Sequence, residues 1–171
     1  MIAILPVAAL ASLVLQDRPC EFKTAAAPVA ATTITGPSEV TDRVRVIVQP
    51  DSPVVIAAAD LTGTSLNVGP ASFLWQGPYV VELVNTSNQV VTDVKVAIFV
   101  RAAPSGGGVG SGLTAAGPIE PGQRVKLSGK SGRGSGGAGT AGVTMDLFIE
   151  SVRVGACEYR PSQRIPVVAA R

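Results

Sequence analysis

The chain has 171 residues, of which 46% are hydrophobic and 15% are charged, so it can bury a sizeable core in one ordinary domain. Nineteen glycines and thirteen prolines, against 4% aromatic residues, favour turns and short strands over long helices. The formal net charge of +2 is too small for the dense basic face of a dedicated nucleic-acid-binding protein. We therefore expect an all-β domain with no specific nucleic-acid partner.

Residues 1–19 contain an apolar run, residues 2–15, that ends before the first charged residue. The run is shorter than the about 20 residues that span a bilayer, so we expect no stable membrane span. Its length suits the apolar region of a secretory signal, with residues 9–11 (Ala-Leu-Ala) as a cleavage site. No Lys or Arg precedes the run, which leaves retention as an anchor open. This segment predicts export to the periplasm, the cell surface or the medium, and residues 20–171 form the domain.

Cys20 and Cys157 are the two cysteines of the sequence. They form neither a C-x-x-C pair nor a cluster with other metal ligands, so no metal site is expected. In an exported chain the two thiols should pair. Closing a loop of roughly 137 residues stabilises a fold by about 4 to 5 kcal/mol on the chain-entropy estimate. Two unpaired, buried thiols are the alternative.

Alternation of apolar and polar residues predicts short strands along the rest of the chain. Residues 43–49 and 54–58 are two of them, and residues 72–76 are a strand or the aromatic rim of a loop. The clearest pattern lies in residues 79–100, where two alternating runs flank a polar island, residues 85–89 (Asn-Thr-Ser-Asn-Gln). This pattern predicts a hairpin whose Asn-rich turn is explained by backbone geometry alone.

Downstream, Pro121 and Gly122 occupy the central positions expected for a type II turn. An alternating strand follows at residues 143–149, Gly155 marks a bulge or turn, and Pro166 restricts the last strand to a sheet edge. Seven to nine short strands at this spacing predict an antiparallel β-sandwich.

Residues 81–100 (VELVNTSNQVVTDVKVAIFV), followed by residues 119–127 (IEPGQRVKL), resemble the Asn-rich hairpin and Pro-Gly-entered strand of immunoglobulin-like and fibronectin-type domains of exported bacterial proteins. At its widest the resemblance covers residues 43–127. It implies an immunoglobulin-like sandwich and no particular activity. The antibody-type spacing of Cys, Trp and Cys is not matched, so no binding residue is transferred from the family.

Two glycine-rich stretches, residues 104–112 and 129–142, predict flexible loops. The second contains Gly-Lys-Ser, but a phosphate-binding loop needs a glycine where Arg124 stands and a helix where more glycine follows, so no nucleotide is expected. An acid-free basic run is a candidate site for an acidic polysaccharide, a phosphate surface or a nucleic-acid backbone, against the alternative of a solvated strand edge and loop. Its members are Arg124, Lys126, Lys130 and Arg133.

Catalytic chemistry is restricted by the complete lack of histidine. This removes Ser-His-Asp and Cys-His groups and the commonest neutral metal ligand. Glycoside hydrolysis by two carboxylates remains possible without histidine. Its candidate pair is Asp146 and Glu150, which share one face of a predicted strand. Any two surface acids four residues apart on a strand would do the same, so the pair is weak evidence. We therefore expect no enzyme and no cofactor.

Three aromatic residues are candidates for ligand binding, because aromatic rings on a loop rim can stack on sugars. They are Phe73, Trp75 and Tyr79. The alternative is that Trp75 and Tyr79 fill the core.

Three functions fit the sequence. The first is a non-catalytic exported domain acting in protein interaction or assembly at the cell surface. The second is a carbohydrate-binding module. The third is a subunit of a surface polymer that donates residues 2–15 to a neighbour. The expected partner is another protein or a cell-surface polysaccharide.

Overall fold

A computed structural model of the chain describes residues 20–24, 32–68, 72–102, 108–130, 132–135, 143–162 and 165–166. The predicted signal segment, residues 1–19, lies outside them. Within the described segments the fold is all-β, as predicted, with thirteen strands and one short helix, α1 (Ser38–Thr41). The strands are β1 (Thr33–Thr35), β2 (Val44–Val48), β3 (Val54–Asp60), β4 (Ser65–Val68), β5 (Ser72–Gln76), β6 (Tyr79–Asn85), β7 (Val91–Ala102), β8 (Gly108–Ala115), β9 (Arg124–Gly129), β10 (Gly132–Ser135), β11 (Val143–Val154), β12 (Cys157–Tyr159) and β13 (Ile165–Pro166).

This number exceeds the seven to nine strands expected. The strands that were not expected are β1, β4, β8 and β10. The first two have three and four residues, too few for alternation to reveal, and the other two lie in glycine-rich stretches. No helix in the described segments has the length and apolar character that crossing a bilayer requires.

The strands form three sheets. A four-stranded sheet has the order β1-β3-β6-β9, and a three-stranded sheet has the order β10-β5-β4. The largest sheet runs β13-β2-β11-β7-β8, with β12 also paired to β11. Two pairings are parallel, β1 with β3 and β2 with β11, whereas the other strand pairings given for the described residues are antiparallel, so the predicted antiparallel arrangement needs correction at these two pairs. Parallel neighbours need a long crossover connection, so the turn residues beside each strand do not reveal which strands pair.

The predicted hairpin of residues 79–100 is also wrong, although both of its strands exist. Strand β6 pairs with β3 and β9, whereas β7 pairs with β11 and β8. The polar island therefore carries the chain from one sheet to the other. Alternation identifies the dry face of β6 and of β7, but it does not identify the strand that pairs with either of them.

One apolar cluster forms the core and contains buried residues of all three sheets, including Trp75 of the three-stranded sheet. In β6 every second residue is buried, beginning at Tyr79, and β7 buries Val94, Val96 and Ile98 in the same manner. Complete burial of a side chain of this size stabilises a fold by about 1.5 to 3 kcal/mol.

Both glycine-rich stretches contribute strands, so the prediction of flexible loops needs correction. Strand β8 pairs with β7 over eight residues and β10 pairs with β5 over four. Glycine keeps both backbone hydrogen-bonding groups, so the loss of side chains does not prevent a ladder. The remaining parts of the two stretches, apart from residues 129–130, lie outside the described residues.

Three local predictions are confirmed. Gln123 N donates to Glu120 O at 2.9 Å and Gly122 has a φ of 78°, as a type II turn requires. Gly155, with a φ of 59°, lies in the turn between β11 and β12. Strand β13 pairs with β2 at the end of the largest sheet, which is the edge position that Pro166 demands.

Candidate functional site

Two of the three aromatic candidates lie inside the protein. Trp75 and Tyr79 are each 2% exposed, and their ring centroids are 4.5 Å apart. Phe73 lies on the same strand as Trp75, and its backbone pairs with Val68 and Gly134; its side chain lies outside what the structure describes. Stacking on a sugar requires an exposed ring face, which neither Trp75 nor Tyr79 presents.

The position of Tyr79 depends on a glycine. Gly129 of β9 is the ladder partner of Tyr79 on β6 and is itself buried. A Cβ built at Gly129 would overlap the phenol ring, so the ring covers the space that the missing side chain leaves. Sequence reasoning placed Gly129 in a flexible loop, since nothing near it in the chain signals an aromatic partner.

The basic run is not acid-free in three dimensions. Arg124 and Lys126 lie on one face of β9, and both approach Glu82 of β6, at 2.5 Å and 3.9 Å. The two basic side chains are exposed, so the pairs contribute little stability, and the one carboxylate that they share offsets one of the four positive charges. Lys130 is exposed just beyond β9, and Arg133 belongs to β10 in a different sheet.

A second carboxylate lies near this surface. Asp60, at the end of β3, accepts hydrogen bonds from Thr62 N at 3.0 Å and from Thr62 Oγ1 at 2.6 Å. These bonds are the main cause that lowers the pKa of Asp60, and the charge of Lys126 makes a smaller contribution. The pattern of Glu82 and Asp60 beside Lys126 is that of a solvated, charge-balanced face.

The two carboxylates considered for hydrolysis differ in environment. Asp146 is 3% exposed and pairs with Arg45 on the adjacent strand, at 2.7 Å to Nη2 and 2.8 Å to Nε. Glu150 is exposed, and the ladder is irregular after Ile149. No group of three potential metal ligands occurs among the described residues.

A cleft opens between β2 and β3, lined by the apolar residues Val46, Val54, Ile56 and Ile149 and by the polar residues Thr32 and Gln49. Its volume of about 20 Å³ is enough for roughly one water molecule. Small-molecule sites are usually about 300 to 1,000 Å³, so the cleft is not a ligand pocket of that kind.

The polar island has a buried half that explains its turn. Asn85 is fully buried, and its Nδ2 donates to Gln89 O and Ile119 O, both at 2.8 Å. Its Oδ1 accepts from the backbone and hydroxyl of Ser87. Every polar atom of this amide is thus satisfied, as a buried group requires. The side chains of Asn85 and Ser87 therefore close the turn, as predicted for Asn85, although neither Asn85 nor Asn88 has a positive φ.

The exposed half of the island binds the start of the described chain, residues 20–24, which we call the N-terminal strap. Lys23 N donates to Asn88 Oδ1 at 3.1 Å, and Asn88 N donates to Lys23 O at 3.2 Å. Gln89 Nε2 donates to Glu21 O at 2.6 Å. Sequence reasoning missed this contact, because the two segments are more than 60 residues apart and neither carries a recognisable motif.

The strap is also attached to the C-terminal part of the fold. Cys20 and Cys157 form a disulfide with a Cα–Cα distance of 5.7 Å, which confirms the predicted pairing. The ring of Phe22 meets the ring of Tyr159 edge-on, with centroids 4.9 Å apart. The strap has only five residues, yet a disulfide, an aromatic contact and several hydrogen bonds hold it in place.

Tyr159 connects this region to a third segment. Its hydroxyl donates to Asp51 Oδ2 at 2.9 Å, and Ser162 N donates to the same oxygen at 2.7 Å. Partial burial, followed by the hydrogen bond and charge of Asp51, raises the pKa of Tyr159 to about 12.

Comparisons of the chain with protein-family models, curated proteins and solved structures gave no match. The site is therefore interpreted from its own residues.

Proposed function

We propose that this chain is a non-catalytic, exported domain that acts in protein interaction or assembly at the cell surface. The observation that carries the proposal is the disulfide between Cys20 and Cys157, because such bonds persist in oxidising compartments and are rare in the cytosol. The apolar cluster to which the four-stranded and the largest sheet both contribute supports an immunoglobulin-like β-sandwich, a framework that presents surfaces for binding.

A binding role agrees better than catalysis with the chemistry of the described residues. The sequence has no histidine, Asp146 is engaged by Arg45, and the cleft beside Gln49 has room for about one water molecule. Carbohydrate binding through Trp75 and Tyr79 is not favoured, since both rings are buried. The segment that a surface polymer would donate, residues 2–15, lies outside the described residues.

Export is tested by fractionating cells that produce the full chain with a C-terminal tag. We expect the chain outside the cytoplasm, with both cysteines protected from alkylation until a reductant is added. A cytoplasmic chain that labels at both cysteines without reduction would refute the proposed location.

Assembly is tested on intact cells with a membrane-impermeant, amine-reactive cross-linker, since Lys126 and Lys130 are exposed. We expect adducts above the monomer mass, and their composition distinguishes self-association from a different protein partner. A chain that stays monomeric at every cross-linker concentration, while a known surface complex is captured, would argue against an assembly role. Retention of the purified chain on polysaccharide would instead support the carbohydrate-binding alternative.

A further inference from the structure

The exposed half of the polar island takes part in the turn through its backbone, since Gln89 O accepts from Asn85 Nδ2 and from Ser87 Oγ. Asn88 and Gln89 instead direct their side-chain amides to the backbone of Lys23 and Glu21. The backbone of Thr24 continues this contact as an antiparallel bridge to Ser87. Because these contacts involve backbone groups, they fix the path of the strap rather than any one of its side chains.

That path determines where the Cys20 sulfur lies. Glu21 follows Cys20 directly, and its carbonyl is held by Gln89 at 2.6 Å. Phe22, next along the strap, rests on Tyr159, two residues after Cys157. Contacts that hold Glu21 and Phe22 therefore hold Cys20 beside Cys157, even where no covalent bond joins them. In the reduced protein this raises the effective concentration of one thiol at the other.

We propose that Asn88 and Gln89 are positioning residues for the Cys20–Cys157 disulfide: the island binds the strap first, and oxidation then locks it. Binding and bond formation are linked equilibria, because the bond forms from the docked strap: the island favours the oxidised form to the extent that it raises the fraction of reduced chains in which the strap is docked. The inference does not depend on the proposed function, because it concerns the redox equilibrium of the isolated protein.

The bond is formed by exchange with a disulfide oxidant, and glutathione disulfide serves as the probe. The thiolate of one cysteine attacks glutathione disulfide, releases one glutathione thiol and leaves a mixed disulfide. The second cysteine attacks that mixed disulfide and releases the second glutathione. One glutathione disulfide is thereby reduced to two glutathione thiols, while Cys20 and Cys157 are oxidised to one disulfide.

The test measures the equilibrium between the reduced and oxidised full chain over a range of glutathione ratios. In N88A/Q89A two side-chain hydrogen bonds to the strap are lost, and we expect the oxidation constant to fall about fivefold or more. N88D retains the oxygen that accepts from Lys23 N and should stay within about twofold of the native chain. The matched control is N67A/Q76A, which removes the same residue types from exposed positions on β4 and β5 and should leave the constant unchanged.

An oxidation constant of N88A/Q89A within about twofold of both the native chain and the control would overturn the proposal. Hydrogen exchange of the reduced native chain gives a readout that requires no substitution to fold. We expect the amide of Lys23 to remain protected after reduction, because the island still binds it. Loss of that protection on reduction, with the amides of β7 and β11 still protected, would equally refute the proposal.

Discussion

The side-chain amide of Gln49 pairs with the main chain of Ile149 as a peptide group would. Its Nε2 donates to Ile149 O at 2.9 Å, and Ile149 N donates to its Oε1 at 2.7 Å. The backbone ladder between β2 and β11 reaches only Val46 and Leu147, so the side chain extends the parallel pairing beyond the last backbone partners. Gln49 is 6% exposed, which makes both hydrogen bonds difficult to replace with water.

Replacing Gln49 with Leu should therefore lower the free energy of unfolding by about 2 to 4 kcal/mol, because a buried N–H and a buried C=O lose their partner. Urea denaturation of the oxidised chain measures the change. Gln76→Leu is the matched control, since Gln76 is exposed, and we expect less than about 0.5 kcal/mol there. Equal effects of the two substitutions would mean that the pairing with Ile149 adds nothing specific.

Gly129→Ala should destabilise the fold by about 1 to 3 kcal/mol, the usual cost of overpacking, because the added Cβ overlaps the ring of Tyr79. Gly112→Ala provides the control, since a Cβ there meets only Val96 O at 3.6 Å. In a Tyr79→Ala background the cost of Gly129→Ala should largely disappear. Thermal unfolding of the native chain, Gly129→Ala, Tyr79→Ala and the double variant forms a double-mutant cycle. A coupling energy near zero between the two substitutions would contradict the overlap.

Trp75→Ala should lower the free energy of unfolding by about 3 to 5 kcal/mol, as expected for truncation of a buried aromatic side chain. Trp75→Phe should cost clearly less, because the indole Nε1 has no hydrogen-bond partner among the described residues and only volume is lost. Because the chain has a single Trp, neither variant has tryptophan fluorescence, so the unfolding of both is followed by circular dichroism. A chain whose stability is untouched by Trp75→Ala would place the ring outside the core.

Alkaline pH should weaken the attachment of Tyr159. Its pKa lies near 10 when unfolded and about 12 when folded. Between these values the unfolded chain releases the phenol proton while the folded chain retains it, so stability is full below pH 10 and falls as the pH rises towards 12. Tyr159→Phe should remove this part of the pH dependence. Urea denaturation at pH 8 and pH 11 gives the change in the free energy of unfolding for the native chain and for Tyr159→Phe. An equal loss in the two proteins would show that other groups are responsible.

The sequence by itself determined the fold class, most strand positions and the dry face of strands such as β6 and β7. Val81 and Leu83 are buried where alternation predicts, because period-two patterning is a local property of an extended chain. Turn chemistry was equally local, which is why Gly122 and Pro166 were placed correctly. The disulfide followed from having two cysteines in a chain predicted to be exported.

Only the tertiary structure decided which strands pair and which surfaces remain available. Strands β6 and β7 fit a hairpin by pattern but belong to different sheets, because the ladder partner is chosen by packing across the whole core. The same long-range packing covers Trp75 and brings Glu82 to the basic run. Asn88 and Gln89 were read as turn residues, yet they hold a segment more than 60 residues away, a contact that exists only once both sheets are assembled.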